Sequence, residues 1–207
     1  LLIKLHYKER LLMGAEQTQT PTKIENTITF GLENVHWGKV TKSPTGTITY
    51  TKPEKMSGAV DMELNPVSTE IKLKADNIDY YVSESNEGYT GKMTFYNVTE
   101  SFAEYVNGLE NKGDLTVEKS TSQSNPITLL FQMEGDKHAT RFCLPQVVVK
   151  RPKFSTKTKN GADVNTVELE FTASPRSTDK AIRYKTNLNT SDEVYNKFFD
   201  EVKQALN

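Results

Sequence analysis

The chain has 207 residues, a formal net charge of -1, a pI of about 6.4 and 35% hydrophobic residues. That length and apolar content suit one domain with a core of its own and exclude a wholly disordered chain. Near-neutral charge argues against tight nucleic-acid binding, which needs a basic surface to grip phosphates. No run approaches the roughly 20 apolar residues of a membrane-spanning helix, so no membrane partner is expected. The lone Cys143 excludes an intrachain disulfide and a multi-thiolate metal centre, and its place between Phe142 and Leu144 suggests a small buried hydrophobe.

Residues 1–12, LLIKLHYKERLL, lead into Met13. Charges interrupt any apolar stretch, so no secretory signal is recognisable. Lys8-Glu9-Arg10 is encodable by a purine-rich string like a bacterial ribosome-binding site, with Leu11 and Leu12 between it and Met13. The expectation is that translation begins at Met13 and that residues 1–12 are upstream sequence. An intact mass of the native protein that includes them refutes it. Residues 13–26 are polar and read as a flexible N-terminal arm before a single domain over 27–207.

From residue 27 the pattern is mostly β. Ile28, Phe30 and Leu32 alternate with polar or small residues, and residues 35–40 carry His36 and Trp37. Lys42-Ser43-Pro44-Thr45-Gly46 is a turn, residues 47–50 a short strand and 51–55 a polar stretch. The clearest strand is 67–75. Val67, Thr69, Ile71, Leu73 and Ala75 alternate with Ser68, Glu70, Lys72 and Lys74, which predicts one buried and one wet face. Asp76-Asn77 turns the chain into a partner strand over 78–82; residues 84–88 read as a polar turn and 89–98 as a further strand. Thr99 is placed to cap a short helix that carries Phe102, Val106 and Leu109 on one side and stops at Gly108.

Two strand-like runs, 127–133 and 137–149, flank Gly135-Asp136, a hairpin signal. Residues 154–163 form a polar loop. Val167, Leu169 and Phe171 mark a half-buried strand, and residues 182–188 a last one. The period then changes. Val194, Phe198 and Val202 recur every four residues, Thr190 and Glu193 form a capping-box pair, and Glu193 precedes Lys197 by four. This predicts a C-terminal helix whose apolar stripe packs on a sheet or a neighbouring subunit. The fold class is mainly β (α+β), with a short central helix and a C-terminal helix.

No phosphate-binding Walker loop, paired-histidine zinc motif or nucleophile elbow occurs, and His36 and His138 are about a hundred residues apart. No catalytic residue, metal or cofactor is assigned, and an enzyme is the weakest expectation.

Five segments carry a family resemblance: TFGLENVHWG (29–38), SGAVDMELNP (57–66), ADNIDYYVSESNEGYTGKMTF (75–95), GDKHATRF (135–142) and KTKNGADVNTVELEFTASPR (157–176). In order and approximate spacing they resemble the major tail proteins of siphoviruses that infect Gram-positive bacteria. The similarity covers about residues 24–205, while 14–23 and 143–150 look individual to this chain.

The resemblance implies a β-sandwich or barrel-like tail-tube fold. It implies hexameric rings stacked into a tube through which double-stranded DNA passes, with a tape-measure protein, a tail terminator and a distal tail protein as further partners. It also places the protein in the virion tail after synthesis in the bacterial cytoplasm. The alternatives are another ring-forming virion protein, such as a terminator or head–tail joining protein, and a monomeric carbohydrate-binding β-sandwich using Trp37, Tyr80, Tyr81 and Tyr89. DNA carries about one charge per 1.7 Å, so an acidic lumen lets it slide. The wet strand faces offer Glu63, Glu70, Glu168 and Glu170 as lumen candidates, with Lys72 and Lys74 sharing the face of Glu70. Contacts between rings or subunits are expected from the N-terminal arm, from the 41–55 loop with Lys42, Pro44 and Lys52, and from the 153–163 loop with Lys157, Lys159 and Asn160.

Overall fold

Period-two patterning yields strands along most of the chain, and the computed structural model describes residues 30–134, 139–153 and 165–204. In chain order the elements are β1 (Phe30–Lys42), β2 (Ile48–Tyr50), β3 (Glu54–Lys55), β4 (Ala59–Ala75), β5 (Ile78–Phe95), α1 (Glu100–Asn107), β6 (Glu110–Asn111), β7 (Thr116–Val117), β8 (Ile127–Glu134), β9 (Arg141–Val149), β10 (Val167–Ala173), β11 (Tyr184–Lys185) and α2 (Asp192–Asn196). One antiparallel sheet runs β2-β1-β8-β9-β10-β5-β4, with β11 added to β9 and β3 to β1; β6 and β7 pair separately. The sheet curls. β1 and β4, far apart in strand order, approach each other, and Leu32 of one and Met62 and Leu64 of the other pack on the same core. The mainly β expectation holds.

β8 and β9 occupy the middle, so residues 127–132 are buried on both faces. One face (Ile127, Leu129, Phe131, Leu144) joins the main core with Trp37, Phe95, Leu169 and Phe171. Helix α1 covers one end of it through Phe102 and Val106; the Trp37 and Phe102 rings meet edge to face at 5.1 Å. This is the geometry that aromatic quadrupoles favour. The other face presents Leu130 and Cys143 to Phe198 and Val202 from the C-terminal segment. Pro145, unwelcome inside a ladder, sits where the register shifts between Ile127↔Val147 and Leu129↔Leu144, so a bulge absorbs its missing donor. Gly91 lies opposite Phe171 and Leu64. A Cβ there would meet the Glu63 carbonyl at 2.3 Å and the Phe171 ring at 2.6 Å, so only glycine fits.

Several expectations are corrected. Residues 84–88 are not a turn: β5 is continuous from Ile78 to Phe95, and Glu84 pairs opposite Glu70. The string is polar because both faces of the ladder are wet there, and polarity alone does not distinguish that from a turn. The 41–55 loop is partly ladder, with β2 and β3 both paired to β1. The last strand shrinks to Tyr184–Lys185.

The C-terminal helix is a short turn of five residues capped by Ser191, whose Oγ accepts from the Val194 N–H at 3.4 Å. Thr190 instead accepts from the Asn187 N–H. Past Asn196 the chain continues in tighter backbone turns, with Phe198 donating to the Tyr195 carbonyl and Asp200 to the Lys197 carbonyl, and side chains then hold the backbone further on. Arg176 donates to the Lys203 carbonyl at 2.6 Å, and the Lys203 N–H donates to the Tyr184 hydroxyl at 3.3 Å. The expected stripe still packs on the sheet through Phe198 and Val202. Helix α1 matches its expectation, with Gly108 at φ 62° accommodating the left-handed C-terminal stop, although Thr99 makes no side-chain cap. The N-terminal arm, Gly135-Asp136, His138 and the 154–163 loop lie outside the described residues.

Candidate conduit and assembly surfaces

Alternation along β4, β5 and β10 turns Met62, Leu64, Met93, Phe95, Leu169 and Phe171 to the core and their neighbours outward. Register aligns the outward set in rows. Glu63, Lys92 and Glu170 stand side by side, as do Asp61, Thr94 and Glu168. Lys92 bridges to Glu168 at 3.2 Å, and Lys150, just after β9, meets Glu170 at 2.9 Å. Thr94 donates to Asp61 and Asn65 to Glu63, each at 3.0 Å. The hydrogen bond to Glu168 holds the Lys92 ammonium above its usual range, and the one from Lys150 holds the Glu170 carboxyl below its own. All these pairs are exposed and screened by water, so each contributes little to stability. Four carboxylates face two ammonium groups, so the patch is net acidic.

Three of the four lumen candidates, Glu63, Glu168 and Glu170, thus share one face. Glu70 does not belong with them. By strand parity it lies on the opposite face of β4, beside Lys72 at 2.8 Å and across from Glu84. Lys42 closes the β1–β2 hairpin opposite Ile48, and Pro44 is exposed in its turn. Lys52 reaches Asp200 of its own chain at 3.1 Å, so this candidate contact tethers the C-terminal segment. Lys157, Lys159 and Asn160 lie outside the described residues.

The outer halves of β4 and β5 leave the sheet as a two-stranded arm, reversed at Asp76 and Asn77, whose positive φ angles of 52° and 63° suit a tight hairpin turn. Here the 67–75 strand departs from expectation: neither face is buried. Ile71 is 51% exposed, Leu73 56%, Ile78 64%, Tyr80 77% and Tyr81 53%. Periodicity identified the apolar face but not a partner for it. At the base of the arm, β4 and β1 bound a groove of about 540 Å³. Leu32, Met62, Leu64, Phe131 and Phe142 line it, and Asp61 and Arg183 lie at its polar margin. Of the aromatics proposed for sugar binding, Trp37 is buried and Tyr89 is half-buried under Arg183.

A clasp that gives no sequence signal fixes the C-terminal segment. Arg176 is fully buried, holds Asp179 through two bonds of 2.6 Å, and also reaches the Lys203 carbonyl and the Tyr50 hydroxyl. The Asp179 carboxylate and these bonds raise its already high pKa further against burial. Arg141 adds a bond to the Tyr195 carbonyl and stacks on the Tyr195 ring at 3.8 Å.

Cys143 is sealed beneath this segment; burial pushes its thiol up to about 11. A thiol reagent is expected to leave it unmodified in the native protein and to titrate it once urea unfolds the chain. Fast native labelling would contradict this packing.

His36 donates from Nδ1 to the Asn34 carbonyl at 2.7 Å and stacks on Phe199 at 4.5 Å. Burial lowers its pKa, outweighing the Asn34 hydrogen bond, with Lys55 adding to the lowering. The unfolded chain therefore takes up this proton first as pH falls through about 6.5. The stability that the neutral ring contributes is complete above that value and is lost as pH falls toward the folded-state pKa. Urea midpoints should drop between neutral and mildly acid pH, and His36→Phe should flatten the slope. An unchanged slope in the variant assigns the effect elsewhere.

Among the described residues no group of three or more His, Cys, Asp or Glu is placed to hold a metal ion, and no helix is long and apolar enough to cross a membrane. Compared with known family models and curated proteins, the chain finds no match. Its surfaces define a mainly β protein that exposes a striped charged face, an apolar arm and an apolar groove.

Proposed function

We propose that the chain is a structural subunit and not an enzyme: the repeating unit of a siphovirus tail tube, assembled as stacked hexameric rings around a channel for double-stranded DNA. The observation that carries this is the arm. A two-stranded ribbon is marginal alone in water, and one that exposes six large apolar side chains, Val82 among them, belongs in an assembly. The family resemblance supplies the kind of assembly. It brings the tape-measure, terminator and distal tail proteins as partners and the virion tail as location.

The face bearing Glu63, Lys92, Glu168 and Glu170 suits the channel wall. It is net acidic, its lysines are occupied by carboxylates, and DNA phosphates find few free cations to hold them. The long edge of β4, unpaired among the described residues, also favours assembly, because pairing edges between subunits removes an aggregation hazard. Negative-stain microscopy of purified protein tests this directly. Long hollow tubes are expected. Single rings would indicate a terminator or joining protein, and isolated small particles a monomeric binding domain; either overturns the tube assignment.

A further inference from the structure

We infer that the tip of the β4–β5 arm of one copy docks in the groove between β1 and β4 of a second copy, making a head-to-tail self-contact. This rests on the assembly reading above and specifies which surfaces meet. The tip presents Leu73, Ile78, Tyr80 and Tyr81; the groove presents Leu32, Met62, Leu64, Phe131 and Phe142. Each surface is apolar, and among the described residues nothing covers either one, with buried Phe131 forming the groove floor.

Size is consistent with the pairing. Half-exposed or better, the large apolar side chains of the arm leave on the order of 600 Å² uncovered, close to one partner's share, about 800 Å², of a standard interface. Charge is consistent as well. Lys72 and Lys74 flank the tip, while Asp61 lies at the groove and the Glu134 carboxylate sits beside Gly31 in its wall. Arg183 at the margin offers a partner to Asp79 of the turn.

The arm that docks belongs to a second copy, because an arm cannot reach its own groove. The groove touches β4 at Val60–Leu64, whereas the turn begins after Ala75. At about 3.3 Å per residue the tip lies roughly 40 Å away, and pairing with β5 along the whole arm, with register shifts only at Val67/Ser68 and Leu73/Lys74, keeps the ribbon extended. Two different patches meet in such a contact, so it propagates: it closes into a ring or extends into a filament instead of ending at a dimer.

Cross-linking tests the contact in the full chain, since buried Cys143 leaves introduced thiols as the reactive ones. One chain carries Asp79→Cys at the tip and another Asp61→Cys at the groove; both positions are exposed. On mixing under mild oxidation, the 79–61 disulfide should form about tenfold or more faster than either chain alone forms its own, as the raised local concentration dictates. Leu73→Glu with Tyr81→Glu in the tip chain should abolish that advantage. Predominant 79–79 bonding, or no preference for the mixed species, overturns the docking. Microscopy of the same samples separates the two claims. Tubes that form without the 79–61 bond refute the docking alone, whereas the bond in particles that never become tubes upholds the docking and refutes the tube.

Discussion

Replacing Arg176 by alanine should destabilise the domain by about 3–5 kcal/mol, the cost of breaking a buried charge pair by removing one partner. The guanidinium is fully buried and binds three separate parts of the chain: Asp179, the Lys203 backbone and Tyr50 on β2. Without it the Asp179 carboxylate, 14% exposed, loses both guanidinium bonds. The C-terminal segment also loses its bond at the Lys203 carbonyl. Arg176→Lys should recover only part of the loss, because an ammonium cannot form the two parallel bonds. Arg176→Met combined with Asp179→Ala should be milder than Arg176→Ala alone, since the carboxylate leaves together with the guanidinium and methionine keeps much of the buried volume. Urea denaturation measures all three, and limited proteolysis should show the segment after Tyr184 cut first. A loss below about 1 kcal/mol for Arg176→Ala would mean that the clasp is not a principal anchor.

That clasp marks where sequence stops being informative. Arg176 follows Pro175 in a polar stretch, and nothing local separates a buried arginine from a solvated one. Its partners come from β2, from three residues on, and from the chain end. Patterns governed by local rules were legible. Alternation located β10 and the hairpin at Asp76-Asn77, and Gly108 marked the end of α1. The capping box at Thr190 pointed to a helix in the right place but of the wrong length: after Asn196 the chain passes into tighter turns, a change that the four-residue period of Val194, Phe198 and Val202 does not report.

The 67–75 strand shows a different limit. Its period was correct and its inferred burial was not, since alternation reports which side chains want cover without saying whether this chain supplies it. The same reasoning splits the lumen candidates. Glu63, Glu168 and Glu170 come together through register between strands distant in sequence, while Glu70 falls on the other face by parity within a single strand. Parity was readable in advance; the β4-β5-β10 strand order was not.

Converting Glu168 and Glu170 to lysine should leave folding and tube formation intact while slowing DNA ejection by about an order of magnitude at low salt. The structural cost is small because Lys92–Glu168 and Lys150–Glu170 are exposed pairs, screened by water, that contribute little to stability. The electrostatic change is large. Four carboxylates against two ammonium groups become two against four, and the released Lys92 and Lys150 join the new lysines facing the channel. Every subunit repeats the change, so passing phosphates meet a continuous cationic wall and exchange counterions for protein contacts. Added salt should restore the rate, because these charges stand in water and are screened beyond about 10 Å at 0.1 M. Glu70→Lys, on the opposite face, should leave ejection unaffected and serves as the control. Normal ejection through intact double-variant tubes would remove this face from the channel; slow ejection by Glu70→Lys alone would move the channel to the other side of the sheet.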